Sequence, residues 1–306
     1  MDFGKLLSIE NVDFRLPPEP PQNGLLPASL PAGHKPAALY LGATGYNMKN
    51  WVGKWYPAGT KDKDFLRQYG LQFNTIEHNT THYRIPDAAT VARWREETPD
   101  DFRFCPKIPQ TISHAADMGL SGRQISLFCN VIQDLGKKLG CCFLQLPPYF
   151  SVTHLMTLYR FLEQFPAEIP LAVEVRHPSF FEPTVAAESY FDLLRTQQRA
   201  AVITDVAGRR DVAHMRLTNG CTMVRFVGNR LHPTDYTRIQ EWALRLADWT
   251  TRGLNEVYFF THEPDNVLAP DLAAYCVESF KKQLPDALIR GPQEVVPPGG
   301  VQGSLF

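Results

Sequence analysis

Short apolar runs recur along the chain at 39–44, 73–78, 102–107, 141–146, 171–176, 201–206, 222–228 and 256–261. Each has the length of a β-strand. Apolar positions three and four apart fill most of the gaps and predict helices over 61–70, 88–98, 121–139, 153–165, 185–199, 234–252 and 269–284. Asp87 and Ser151 or Thr153 stand where helix N-caps belong. The runs begin 34, 29, 39, 30, 30, 21 and 34 residues apart. That is room for a strand, a helix and two loops, repeated eight times, and it predicts a (β/α)8 TIM-like barrel. The 21-residue spacing between runs six and seven is too short for a full unit, so that unit is expected to be degenerate. A doubly wound open sheet would need a glycine-rich phosphate loop after its first strand. Gly42-Ala43-Thr44-Gly45-Tyr46 does not supply one.

The ends of the chain break this rhythm. Seven prolines fall within residues 17–36, at 17, 18, 20, 21, 27, 31 and 36. Proline lacks a backbone donor, so this stretch builds neither a helix nor a central strand. Residues 1–38 therefore read as an extended arm that adds little to the core. Residues 290–306 read as a Gly/Pro-rich tail, and 39–289 as one barrel domain.

Composition narrows the class. With 44% hydrophobic and 21% charged residues the chain is an ordinary globular protein. A net charge of −1 argues against a broadly basic nucleic-acid binder. No apolar run approaches the roughly 20 residues that span a bilayer. The opening MDFGKLLSIE lacks the pattern of a signal peptide. The six cysteines form no C-x-x-C and no zinc-like spacing, which points to a reduced, cytoplasmic protein. No motif calls for a metal or another cofactor.

The candidate chemistry follows from strand phase, because a barrel strand turns alternate residues inward. In run five Val173 and Val175 should face the outer helices, which turns Glu174 and Arg176 inward. The same reasoning groups Glu77 with Asn79, Cys105 with Lys107, Phe143 with Gln145, Ile203 with Asp205, and Met223 with Arg225. The polar member lies each time near the strand's C-terminal end, where barrel enzymes place catalysis. Glu77, Glu174 and Asp205 are the candidate catalytic acids. Asn79, Tyr83, Arg84, Lys107, Gln145, Arg176, His177 and Arg225 are the candidate substrate-binding residues. Three acids and three bases could instead form a structural ion-pair network, since isolated buried charges are costly. A core built for stability alone would use Val, Ile and Leu at these positions, which favours function for the cluster as a whole.

These residues carry a resemblance. Gly42-Ala43-Thr44-Gly45-Tyr46, Trp51 with Gly53, Tyr56-Pro57 and Glu77-His78-Asn79 with Tyr83 and Pro86 begin the pattern. Trp94, Thr98-Pro99, Phe102-Arg103-Phe104, Lys107, His114, Gln145-Leu146-Pro147-Pro148 and Glu174-Val175-Arg176-His177-Pro178-Ser179 continue it. The chain resembles the YecE-like family, domain of unknown function 72, from about residue 39 to 289. The resemblance implies a TIM-like barrel and implies no reaction. This chain departs from the family pattern at His82, at Val227-Gly228 and at Thr261-His262, where the family tends to have Phe, His-Gly and an asparagine pair. The chemistry at strands seven and eight is therefore expected to differ.

The leading functional expectation is an enzyme, a hydrolase, lyase or isomerase, acting on a small anionic or phosphorylated substrate. Lys107, Arg176 and Arg225 would bind the anion, and Glu77 or Glu174 would act as general acid or base. A glycoside hydrolase needs two suitably spaced carboxylates; strands four and seven offer Gln145 and Arg225 instead. A metal-dependent hydrolase could draw ligands from the acids, His177 and His262, but three bases would oppose the cation. A barrel that binds a ligand or single-stranded nucleic acid without turnover is the alternative of another class, resting on loop aromatics such as Tyr46, Trp51, Tyr83 and Tyr149 beside arginines. Nucleic acid is not the favoured partner, and no membrane partner is expected.

Overall fold

The computed structural model describes residues 3–25 and 37–295. Eight parallel strands form: β1 Ala38–Ala43, β2 Thr75–His78, β3 Arg103–Pro106, β4 Cys142–Gln145, β5 Leu171–Glu174, β6 Ala200–Asp205, β7 Cys221–Val227 and β8 Glu256–His262. Their order is β3-β2-β1-β8-β7-β6-β5-β4. Bridges Phe104↔Leu139 and Lys107↔Phe143 link the two ends, so the sheet is a nearly closed TIM-like barrel.

Helices alternate with the strands: α1 Phe65–Gln72, α2 Thr80–Tyr83, α3 Ala88–Glu97, α4 Gln110–Ser113, α5 Gln124–Gln133, α6 Leu155–Gln164, α7 Val185–Thr196, α8 Pro233–Thr251 and α9 Ala269–Gln283. Asp87 caps α3 by accepting from the Thr90 amide at 2.8 Å. Thr184 does the same for α7 through Ala187. Such caps satisfy amides that a helix start leaves without a partner.

Outward strand residues such as Ile76, Phe104, Val173, Ile203 and Val224 are buried against the helices. Inward residues stack in layers. Tyr40 and Tyr258 stack at 4.8 Å. Cys105, Phe143, Ala172, Val202, Met223 and Phe260 fill the interior with them. The polar residues lie beyond this plug, at the C-terminal ends. All six cysteines are free. Among the described residues no helix is long and apolar enough to cross a membrane.

Between β6 and β7 the chain makes only a 3-10 turn, Arg210–Val212, so the degenerate unit lies where the spacing predicts it. The arm fills the gap, which corrects the expectation that it adds little to the core. Phe14 is buried, with Arg210 and Arg238 against its ring. The Leu16 amide donates to Glu241, Arg245 donates to the Pro17 carbonyl, and Glu19 pairs with Arg252. Asn23 is buried and holds both the Met215 carbonyl (2.7 Å) and the Leu217 amide (2.8 Å). The arm thus runs alongside α8 in the same direction. At its upper end the Gly208 amide donates to the Gly4 carbonyl. Gly4 has φ +69° and stands so close to Val206 that a Cβ would lie 2.8 Å from its methyls. Only glycine fits both constraints. Prolines 27, 31 and 36 lie outside the described residues. The tail is also attached as far as it is described: the Gln293 amide donates to Gln72, and the Val295 amide to the Lys54 carbonyl.

Candidate functional site

A charged layer caps the apolar plug. Arg225, projecting inward from β7, is its centre. It donates to both oxygens of Glu77 on β2 at 2.8 and 2.9 Å, and to Glu174 on β5 at 2.8 Å. All three side chains are buried. The chain of contacts extends both ways. On one side Gln145 of β4 donates to Glu174 at 2.7 Å, and Lys107, just past β3, donates to Gln145 Oε1 at 2.9 Å. On the other, Nε2 of His262 on β8 lies 2.9 Å from Glu77 Oε2, and Asn79 donates to Glu77 Oε1 at 3.0 Å. Arg176 donates to Glu174 at 3.0 Å, and the Thr204 hydroxyl of β6 lies 3.3 Å from the same oxygen. Beneath them the Phe143 ring lies 5.8 Å from the Arg225 guanidinium and 5.7 Å from Lys107 Nζ.

The electrostatics follow from this wiring. Burial works to raise the Glu77 acid, but Arg225 and then His262 outweigh it and hold the group well below the usual carboxylate range. Glu174 is buried too, yet Arg176 and Arg225 pull it down to about 2. Both acids are therefore fixed as carboxylates. Burial pushes His262 below its ordinary value, so the ring is neutral near pH 7. Because a carboxylate only accepts, the His262 proton sits on Nε2 and Nδ1 keeps its lone pair. Lys107 is pushed down to about 8, first by burial and then by Arg225.

Asp205 does not join this layer. It projects outward, against α8, where it accepts from Arg238 at 3.0 Å and Trp242 at 2.8 Å, and from Arg210. The expected phase of β6 is off by one residue: Val202 and Thr204 face inward, and Ile203 and Asp205 outward. The missing helix is the physical reason, since it leaves a space on the outer face that Arg238, Arg210 and the arm fill around a buried carboxylate. His177 caps the turn Pro178–Phe180, its Nδ1 accepting from Ser179. Tyr83 ends α2 and Arg84 follows it; both are exposed. Thr204 is an addition, and His262, which the sequence offered only as a metal ligand, joins the charged layer. An inward phase of Tyr258, Phe260 and His262 would have exposed the histidine in the sequence, had the eighth run been carried one residue further.

The mouth has a cover. The Phe3 ring lies 4.2 Å from the Arg176 guanidinium and 5.3 Å from that of Arg209. A separate cleft of about 740 Å³ opens between the arm and Ala207 and Arg210. It has none of the buried, inward groups just described. Among the described residues no group of three or more His, Cys, Asp or Glu is placed to hold a metal ion. Arg225 occupies the position of a cation between the two glutamates.

A barrel with this polar layer defines a class of protein, and the family model described as protein of unknown function DUF72 matches residues 40–294. The chain belongs to the DUF72 family. It is similar to the UPF0759 protein YecE of Escherichia coli K12, with 31% identity over 293 residues covering 88% of this chain and all of that protein. It is also similar to the UPF0759 protein YunF of Bacillus subtilis 168, 26% identical over 47% of this chain and 53% of that one. Two solved structures share the fold. A DUF72 family protein (EF0366) from Enterococcus faecalis V583 has a TM-score of 0.64 at 19% identity, covering 82% of this chain and 99% of that one. Another (TM1631), from Thermotoga maritima MSB8, has a TM-score of 0.59 at 24% identity, covering 81% and 99%.

Proposed function

We propose that the C-terminal mouth of the barrel binds a small anionic compound, with a phosphorylated one fitting best, and performs general acid–base chemistry on it. The observation that carries this reading is the unbroken chain His262–Glu77–Arg225–Glu174–Gln145–Lys107, which joins six strands at one end of the barrel. Its two ends are chemically unfinished. His262 presents a neutral ring nitrogen and is oriented by a carboxylate, the arrangement of a general base with its positioning acid. Lys107 presents an ammonium hydrogen-bonded to one neutral amide. Arg176 adds a planar fork that grips two oxygens of a carboxylate or phosphate. Glu77 and Glu174, held ionised by the arginines, are positioning residues in this scheme; His262 takes the role of base that the sequence suggested for an acid. Hydrolysis, elimination and isomerisation all fit such a site.

Calorimetric titration with phosphate tests the reading. Arg176→Ala is expected to weaken binding about tenfold or more, because a charge-assisted hydrogen bond contributes about 1.5–3 kcal/mol. Equal affinities, or no binding by the wild type at millimolar phosphate, would overturn it. A second reading, ligand binding without turnover, draws on Tyr83 and Tyr149, residues that are 73% and 62% exposed. Salt-dependent oligonucleotide binding that is lost in Tyr83→Ala would favour it.

A further inference from the structure

Among the described residues two lysines are buried, and they differ in a telling way. Lys138 donates to the Arg95 and Thr98 carbonyls at 2.5 Å each and lies 3.8 Å from Asp100. That is how a lysine kept for structure is satisfied. Lys107 is as buried, 8% exposed against 7%. Among the described residues its Nζ has one hydrogen-bond partner, the neutral amide oxygen of Gln145, and no ion pair with a carboxylate. The acids nearest in the network, Glu77 and Glu174, are engaged by Arg225 and Arg176. One face of the amine meets the Phe143 ring. A buried amine set beside guanidinium groups loses its proton readily, which is how nucleophilic lysines are made. With its pKa pushed down to about 8, roughly one molecule in ten carries the neutral amine at pH 7, against fewer than about one in a thousand for an ordinary lysine.

We propose that Lys107 is a nucleophile that forms an imine with a small aldehyde or ketone bearing a carboxylate or phosphate. The inference rests on the anion-binding reading of the mouth and adds the class of electrophile. The ammonium first gives one proton to water at the mouth. The Nζ lone pair then attacks the carbonyl carbon, the C=O electron pair moves to oxygen, and a proton passes from nitrogen to that oxygen. The carbinolamine hydroxyl leaves as water, taking back the first proton, and the nitrogen lone pair closes the C=N bond. In sum, ammonium and carbonyl give a protonated imine and one water. The substrate's acid group goes to Arg176. The iminium charge forms within the field of Glu77 and Glu174, two groups already acting on Lys107. Gln145 holds the amine at the barrel axis before reaction and is a positioning residue.

Reductive trapping of the full chain decides the matter. The protein is incubated at pH 7 with glyoxylate and cyanoborohydride, whose hydride converts an imine to a stable secondary amine, and the label is mapped by peptide mass. Lys107 is expected to be labelled at least ten times faster than any other lysine, and millimolar phosphate is expected to slow it several-fold. Lys107→Arg keeps the charge and, with its fold checked by thermal melting, should lose that fast label alone. Even labelling of surface lysines, unchanged in Lys107→Arg, would overturn the proposal. So would equal labelling of Lys107 by glyoxylate and by propanal, which removes the role of the anion. Phosphate binding in calorimetry without fast labelling overturns the imine and leaves the anion site standing. Loss of both overturns the two readings together.

Discussion

Replacing Arg225 by methionine tests whether the charged layer is wired as described. The substitution keeps most of the volume but removes three hydrogen bonds, the guanidinium over the Phe143 ring and the charge that neutralises two buried carboxylates. Breaking a buried ion pair by removing one partner costs about 3–5 kcal/mol. The same order of magnitude follows from Glu174, which Arg176 and Arg225 pull from 4.5 to about 2 against its burial, a net effect of about 3 kcal/mol. The sign with pH follows. In the wild type both folded-state acids lie below their unfolded values; the Glu174 contribution is present above pH 4.5 and is lost as pH falls through about 2, and that of Glu77 has the same sign. Between pH 8 and 5 it is constant. Without Arg225, burial dominates Glu77 and raises its pKa above the unfolded value. The variant then regains stability as it takes up a proton on acidification. Urea denaturation should give a loss of about 3–5 kcal/mol at pH 8 that shrinks by about 1 kcal/mol or more at pH 5, with an unchanged slope against urea. A loss that is equal at both pH values would refute the pairing of Arg225 with ionised glutamates.

Two further substitutions separate the site from its supports. Asp205→Ala removes the acceptor of Arg238 and Trp242 and should cost about 3–5 kcal/mol in urea denaturation while leaving phosphate affinity unchanged, because that carboxylate faces α8; a tenfold loss of phosphate affinity would return it to the mouth. Phe14→Ala deletes the arm's buried ring and should cost about 2–3 kcal/mol, with faster proteolysis of the arm; an unchanged melting temperature and cleavage rate would mean that the arm is not held by this contact.

The barrel was legible because strand and helix periods differ and repeat. Inward phase was legible on strands two, three, four, five and seven because each has a clearly apolar outer face. Strand six is apolar on both faces, so the neighbouring Thr204 and Asp205 competed for the inward position, and the rule that the stronger polar group faces the mouth chose wrongly. What decided between them was Arg238, some thirty residues later in the chain, on a helix whose neighbour is missing. The arm was misread for a related reason. Proline removes amide donors but leaves packing surface intact, and Phe14, Leu16 and the Asn23 side chain find their partners in the same gap. Both errors have one origin: a sequence shows that a helix is absent more easily than it shows what takes its place.

Moving Asp205 to the outer face changes what the mouth can do. Three acids against three bases would make a balanced network with no need of a ligand. With Asp205 engaged by Arg238 and Arg210, the charged layer at the C-terminal mouth holds two acids, Glu77 and Glu174, against Lys107, Arg176 and Arg225. Arg225 bridges both acids and Arg176 pairs with Glu174, so among the described residues the charge without a carboxylate partner falls on Lys107, whose hydrogen bond goes to Gln145. A buried excess charge of this kind has two ways to disappear: an anion arrives, or the proton leaves. The first makes the mouth a binding site and the second makes the amine a nucleophile. An electrophile that carries its own anion meets both conditions in one molecule, which is why the placement of a single aspartate bears on the class of substrate.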